Sequence, residues 1–105
     1  SCLILGLTFK ENCPDVRNTK VLDIYQDVVD KFKIVEISDA RALKDDISKV
    51  YGKNPIEIQK SDLKNFDVII VAVNHSEYEE FYSGEWILEN QLVYDVKSVI
   101  QSDKV

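Results

Sequence analysis

At 105 residues the chain has room for one compact domain and not for two. Nineteen acidic against thirteen basic side chains leave a net charge of −6, which excludes a general nucleic-acid binder while leaving space for a local basic pocket. The 45% apolar and 30% charged composition is that of an ordinary soluble globular protein, and no apolar run approaches the ~20 residues that cross a bilayer. Leu3-Ile4-Leu5, closed by Gly6, reads as a short buried strand. It begins abruptly, without a charged leader or cleavage site, in a chain that has no methionine, so we read the sequence as a trimmed fragment. Leu7 to Asn18 is polar, holds Pro14 and reads as a loop, with Asn18 or Thr19 as the cap of the helix that follows. Val21, Ile24, Tyr25, Val28 and Phe32 recur at helical spacing and predict one buried helix face.

Further along, Lys33–Ile37 predicts a second strand and Ala40–Tyr51 a helix stopped by Gly52. Pro55–Gln59 predicts a brief third strand. Asp67–Val73, with its run Val68-Ile69-Ile70-Val71-Ala72-Val73, is apolar on both faces and belongs at the centre of a covered parallel sheet. Ser76–Tyr82 predicts a short helix and Gln91–Val96 a last strand. This alternation predicts a single-domain, three-layer α/β/α sandwich with a mainly parallel, Rossmann-like sheet. Ligands of such sheets lie beyond the carboxyl ends of the strands. Those ends are Gly6–Arg17, Ser38-Asp39, Asn74-His75-Ser76 and Asp95-Val96-Lys97.

The first of these loops has neither a dinucleotide fingerprint, which needs further glycines in a tight turn, nor a P-loop. It does bring two cations, Lys10 and Arg17, together with Phe9 at the positive end of a helix. Two readings follow from the spacing. The loop binds an anion, or its cations are solvated charges paired with Glu11 and Asp15. Cys2 reads as core, and Cys13 as a packed thiol in the ligand loop. Two cysteines make no disulfide framework and fit a cytoplasmic setting. His75, the only histidine, reads as a residue that orders the end of the strongest strand, with a place in the ligand cleft as the alternative. It has no metal-ligand partners at usable spacing, so no metal site is expected. Trp86, Phe81, Tyr78 and Tyr82 form an aromatic cluster that reads as core or as a domain interface.

The run GLTFKENCPDVRNTKVLDI, with Phe9-Lys10 and then Asp15-Val16-Arg17, resembles the opening of the C-terminal, UDP-binding domain of the UDP-glucose/GDP-mannose dehydrogenase family. It is most similar to the branch that oxidises UDP-N-acetylhexosamines for bacterial surface polysaccharides. Ala72-Val73-Asn74-His75-Ser76-Glu77-Tyr78 and Tyr94-Asp95-Val96-Lys97 extend the resemblance over the whole chain. The resemblance implies that residues 1–105 are the UDP-sugar-binding domain of an NAD-dependent nucleotide-sugar 6-dehydrogenase, which oxidises a C6 hydroxymethyl group to a carboxylate. It implies a substrate site made by Phe9, Lys10 and Lys97, and a cofactor-binding role for Arg17, which reaches toward NAD across the cleft. NAD itself would be held mainly by an N-terminal domain, and the catalytic cysteine would lie outside this stretch. The fragment is then expected to be inactive, with no catalytic residue of its own. Its implied partners are a UDP-sugar and the missing N-terminal and central domains, with homodimer formation in the complete chain and no nucleic acid or membrane. The alternative from another class is a phospho-receiver-like or protein-interaction module, with Lys97 as the receiver lysine. A receiver, however, needs an acidic pair after the first strand, where Gly6-Leu7 stands.

Overall fold

Four short strands carry the framework in a computed structural model that describes residues 1–17, 19–96, 98 and 100. They are β1 (Cys2–Leu5), β2 (Val35–Ser38), β3 (Val68–Val71) and β4 (Leu92–Asp95). All pair in parallel, in the order β2-β1-β3-β4. Ile4 lies between Ile37 and Ile70, and Ile69 between Leu3 and Val93. The apolar runs of β1 and β3 thus fill the two central positions, where both faces are covered.

Strand alternation sorts the core into two clusters. Cys2, Ile4, Ile70 and Ala72 pack beneath helices α1 (Val21–Val28) and α2 (Lys44–Tyr51) through Val21, Tyr25, Ile47 and Tyr51. On the opposite face Leu3, Leu5, Ile69, Val71 and Val93 meet Leu63, Tyr78, Phe81 and Ile87. The expected three layers are present, but the second covering layer is built from 3-10 helices, Lys60–Asn65 and Ser76–Phe81, and from loops. The aromatic cluster is mostly core: Tyr78 and Phe81 are buried, with Tyr82 and Trp86 packed against them. Among the described residues no helix is long and apolar enough to cross a membrane.

Several boundaries differ from the sequence expectation for local reasons. Pro55–Gln59 is not a strand. Proline offers no amide to a ladder, and Ile56 N–H makes a single bond to Ile37 O (2.9 Å) while Ile56 and Ile58 turn into the second cluster. Helix α2 starts at Lys44 and not at Ala40, because Asp39 Oδ1 accepts the Arg41 and Ala42 amides (both 2.8 Å) and folds that stretch into a turn. Gly52 then ends α2 in the left-handed region at φ 68°. Helix α1 ends at Val28, short of Phe32, in a turn where Lys31 Nζ donates to Asp27 O (2.7 Å). Lys20 occupies its N-cap, while Thr19 Oγ1 accepts the Val21 amide (3.1 Å); Asn18 lies outside the described residues. The Lys60–Asn65 helix was not expected from pattern at all. A reciprocal bond pair between Gln59 and Asp62 starts it, and Leu63 is its one buried anchor.

Tyr51 ties α2 to the functional end of the sheet, its buried hydroxyl donating to Leu7 O at 2.8 Å. Tyr51→Phe leaves that carbonyl without its donor and is expected to cost about 1 kcal/mol. A urea midpoint equal to that of the unmodified chain would show that the bond contributes nothing.

Candidate functional site

The carboxyl ends of β1, β2 and β3 converge on the loop that leaves β1. Gly6, at φ 89°, lets the chain pass directly against Val73, two residues beyond β3. Leu7 N–H then donates to Asp39 Oδ2 beyond β2 (2.7 Å), and Phe9 N–H closes the loop on Asp15 O (2.8 Å). Thr19 Oγ1 donates to Thr8 O (3.2 Å), which fastens the loop to the start of α1.

His75 stands at the centre of this arrangement with no solvent exposure. The Asn12 amide donates to its Nδ1 (2.9 Å), so the ring proton sits on Nε2, which faces Asp39 Oδ2 at 2.9 Å and Thr8 Oγ1 at 3.2 Å. Asn12 is itself held at φ 57°, and its Oδ1 accepts from Ser76 N–H (2.8 Å) and Arg41 Nη2 (3.3 Å). Arg41 in turn pairs with Glu77 (2.7 Å). The reading of His75 as the residue that orders the strand's end agrees with these contacts.

Burial by itself would raise the Asp39 carboxyl. The hydrogen bond from His75 and the amides of Leu7, Ala42 and Arg41 outweigh burial and hold it below the ordinary carboxylate range. With both oxygens occupied by these donors, Asp39 is not available as a receiver-type phosphate acceptor. Nearby, Tyr82 donates to Asn74 Oδ1. Burial, aided by the charges of Asp95, Glu79 and Glu11, pushes its hydroxyl up to about 12, so it stays a neutral donor.

The two loop cations do not share one hollow. Lys10 and Phe9 line a cavity of about 330 Å³ with Thr8, Thr19, Lys20 and Val96, at the carboxyl end of the sheet and the start of α1. Lys10 and Lys20 have no carboxylate partner among the described residues, and no acidic side chain lines this cavity. Phe9 is 60% exposed beside it. Arg17 instead lines a second hollow with Asp46, Lys49 and Leu43, and forms a two-point pair with Asp15 (3.1 and 3.2 Å). That guanidinium holds the Asp15 carboxyl below its usual range. Arg17 thus has the Asp15 partner that the paired-charge reading expects, while Lys10 has no carboxylate partner among the described residues. Lys97 lies outside the described residues. Sequence reasoning missed Lys20, whose place beside Lys10 depends on how the loop folds back. It also missed Asn12 and Arg41, which carry no motif of their own. Cys13 is partly buried and Cys2 is core. Among the described residues no group of three or more His, Cys, Asp or Glu side chains is placed to hold a metal.

Comparison with known proteins decides the family. Residues 3–102 match the model of the UDP-glucose/GDP-mannose dehydrogenase family, UDP binding domain. The chain belongs to this family. Protein CapL of Staphylococcus aureus is 38% identical over 97% of the chain, and the UDP-N-acetyl-D-glucosamine 6-dehydrogenase of Salmonella typhi is 35% identical over 99%. The chain spans about a quarter of the length of these relatives, 24% and 25%. In fold it is similar to a UDP-glucose dehydrogenase structure from Pyrobaculum islandicum, with a TM-score of 0.71 and 21% identity, covering 93% of this chain and 22% of that one. The relative from Salmonella typhi and one from Pseudomonas aeruginosa, 37% identical over 97% of the chain, are dehydrogenases by name, and the UDP-binding unit is the part of the family that this chain matches.

Proposed function

We propose that residues 1–105 are the C-terminal, UDP-sugar-binding domain of an NAD-dependent nucleotide-sugar 6-dehydrogenase. Its reaction converts the C6 hydroxymethyl of a UDP-hexose or UDP-N-acetylhexosamine to a uronate, in the cytoplasm, for surface polysaccharide synthesis. The observation that carries the reading is the hollow with two lysines that, among the described residues, are unpaired and face no carboxylate, in a protein of net charge −6. A diphosphate carries roughly two negative charges, and enclosing it without cations would be costly. Lys10 and Lys20 supply point charges at the phosphates, the start of α1 adds its favourable dipole, and Phe9 forms an apolar wall for the sugar.

NAD does not fit this chain's own strand-to-helix connection. The Gly6–Lys20 loop is long and its glycine is filled by Val73, so no tight cradle for a pyrophosphate remains. The reading therefore gives NAD to the remaining polypeptide, with Arg17 as the residue that reaches toward it. It gives the domain no catalytic residue and expects no turnover from these residues alone. The N-terminal and central domains, and a second copy of the complete chain, are its partners.

Calorimetric titration of the chain with UDP tests the reading. UDP is expected to bind and uridine not. Lys10→Ala should weaken UDP by about 10–100-fold, as loss of a charge-assisted bond does, with Arg17→Ala close to the unmodified chain. Equal affinity for UDP in Lys10→Ala would overturn the assignment of this hollow.

A further inference from the structure

We propose that His75 is a positioning residue for the nucleotide-sugar site: its two ring nitrogens fix the Leu7–Asn12 loop, so that Phe9 and Lys10 face the hollow. The inference rests on the reading of that hollow as the UDP site and adds to it the residue that shapes it.

The geometry is that of a two-sided clamp. On one side, Nδ1 accepts from the Asn12 amide at the far end of the loop (2.9 Å). On the other, Nε2 faces Asp39 Oδ2 (2.9 Å), the same oxygen that accepts the Leu7 amide (2.7 Å) at the near end. The loop is therefore gripped at Leu7 and at Asn12 by one buried ring and one buried carboxylate. Both side chains are shielded completely from solvent. Between the grips, Thr8 Oγ1 donates to Lys10 O (3.0 Å) and lies 3.2 Å from Nε2, so the carbonyl of Lys10 is fixed one bond away from the clamp. Phe9 and Lys10 themselves are exposed, and among the described residues their side chains have no hydrogen-bond or ion-pair partner that would otherwise set their direction. Asn12 adopts φ 57°, a left-handed conformation that asparagine tolerates better than most residues and that turns its amide toward Nδ1. The ring nitrogens are not interchangeable in this arrangement. Nδ1 must accept and Nε2 must donate, because the opposite tautomer sets two N–H groups against each other at Asn12 and two acceptors at Asp39.

That asymmetry supplies the test. In His75→Asn the side-chain oxygen replaces Nδ1 and keeps the Asn12 link. In His75→Gln the side-chain amide replaces Nε2 and keeps the Asp39 link but loses Asn12. Three readouts are taken on the chain: UDP affinity, amide hydrogen exchange at Asn12, and the urea midpoint. His75→Gln is expected to bind UDP about tenfold more weakly, with Asn12 exchanging rapidly, since a small misplacement of a binding group is costly. His75→Asn is expected to keep the Asn12 amide protected and to recover most of the affinity at a comparable loss of stability. A merely structural role would lower the midpoint in both variants and leave the affinity of the folded protein alike in both. Equal UDP affinity in folded His75→Gln and the unmodified chain overturns the proposal. If the unmodified chain binds no UDP, the reading of the hollow fails, and the clamp is judged by Asn12 exchange alone: equal protection in both variants overturns it. If neither variant folds, the unmodified chain decides. Nitrogen–nitrogen coupling across the Asn12 N–H to Nδ1 bond is then expected, and its absence overturns the clamp; where UDP binds, both signals are expected to shift, and unmoved signals overturn the positioning role.

Discussion

Gly6→Ala is expected to be far more damaging than the same change at Gly52. A Cβ at Gly6 would lie 2.6 Å from Val73 Cβ and 2.7 Å from Val73 N, inside any real contact distance. The nearer neighbour is the base of a side chain and the next is backbone, so no flexible chain end can swing aside. The residue also sits at φ 89°, where an L side chain is strained. Overpacking of about 1–3 kcal/mol and a backbone penalty of about 1–2 kcal/mol add to a loss of about 2–5 kcal/mol. Much of the stability of a domain this size disappears with such a loss. Gly52→Ala is the control. It too has positive φ, at 68°, but a Cβ there meets nothing within 4 Å, so only the backbone penalty of about 1–2 kcal/mol applies. Urea unfolding followed by the fluorescence of Trp86, the one tryptophan, measures both. Equal losses at the two positions would refute the close approach of β1 and β3 at Gly6.

That contact also explains how much of the site could be read from sequence. A glycine after an apolar strand announces a turn, and the run Val68–Val73 announces a central strand. Both readings agree with the structure because a single local preference decides each of them. Helix α2 shows the opposite case. Ala40 to Leu43 has helical spacing, yet Asp39 captures two of its amides and makes a turn. Side-chain competition for the backbone decides that stretch, and hydrophobic pattern is blind to it. The same holds for the site. Phe9-Lys10 was legible as a motif, whereas Lys20 joins Lys10 only because the loop returns to the sheet. The pairing of Arg17 with Asp15 was one of two open readings, and spacing could not choose between them. Sequence reasoning located the ends of the strands and left their stitching, through Asn12, Asp39, Arg41 and His75, to the folded chain.

Asp39 holds that stitching together, and its removal is the second large effect expected. Asp39→Ala strips the acceptor from three amides, Leu7, Arg41 and Ala42, and from His75 Nε2. Water can serve the exposed Arg41 amide, but the part-buried Leu7 and Ala42 amides lose their acceptor, and His75 Nε2 keeps only Thr8 Oγ1 at 3.2 Å. At about 1–3 kcal/mol for each unsatisfied buried group, a loss of about 3 kcal/mol at neutral pH is expected. Asp39→Asn should recover only part of this, since its amide nitrogen must face either two backbone donors or the Leu7 and His75 donors. The acid side gives an independent check of sign. The folded Asp39 carboxyl lies below its unfolded value of about 3.9, so its stabilisation is fully present above that pH and is lost as pH falls through the folded value. The unmodified chain should therefore lose stability steeply between about pH 4 and the acid end of the titration. Asp39→Ala, already less stable, should show a shallower decline, with the remaining slope from Asp15, Asp67 and Glu77, whose carboxyls are also held low by their partners. Parallel acid limbs in the two proteins would mean that the His75–Asp39 contact does not bear on the folded state, and the loop that presents Lys10 would then need another anchor.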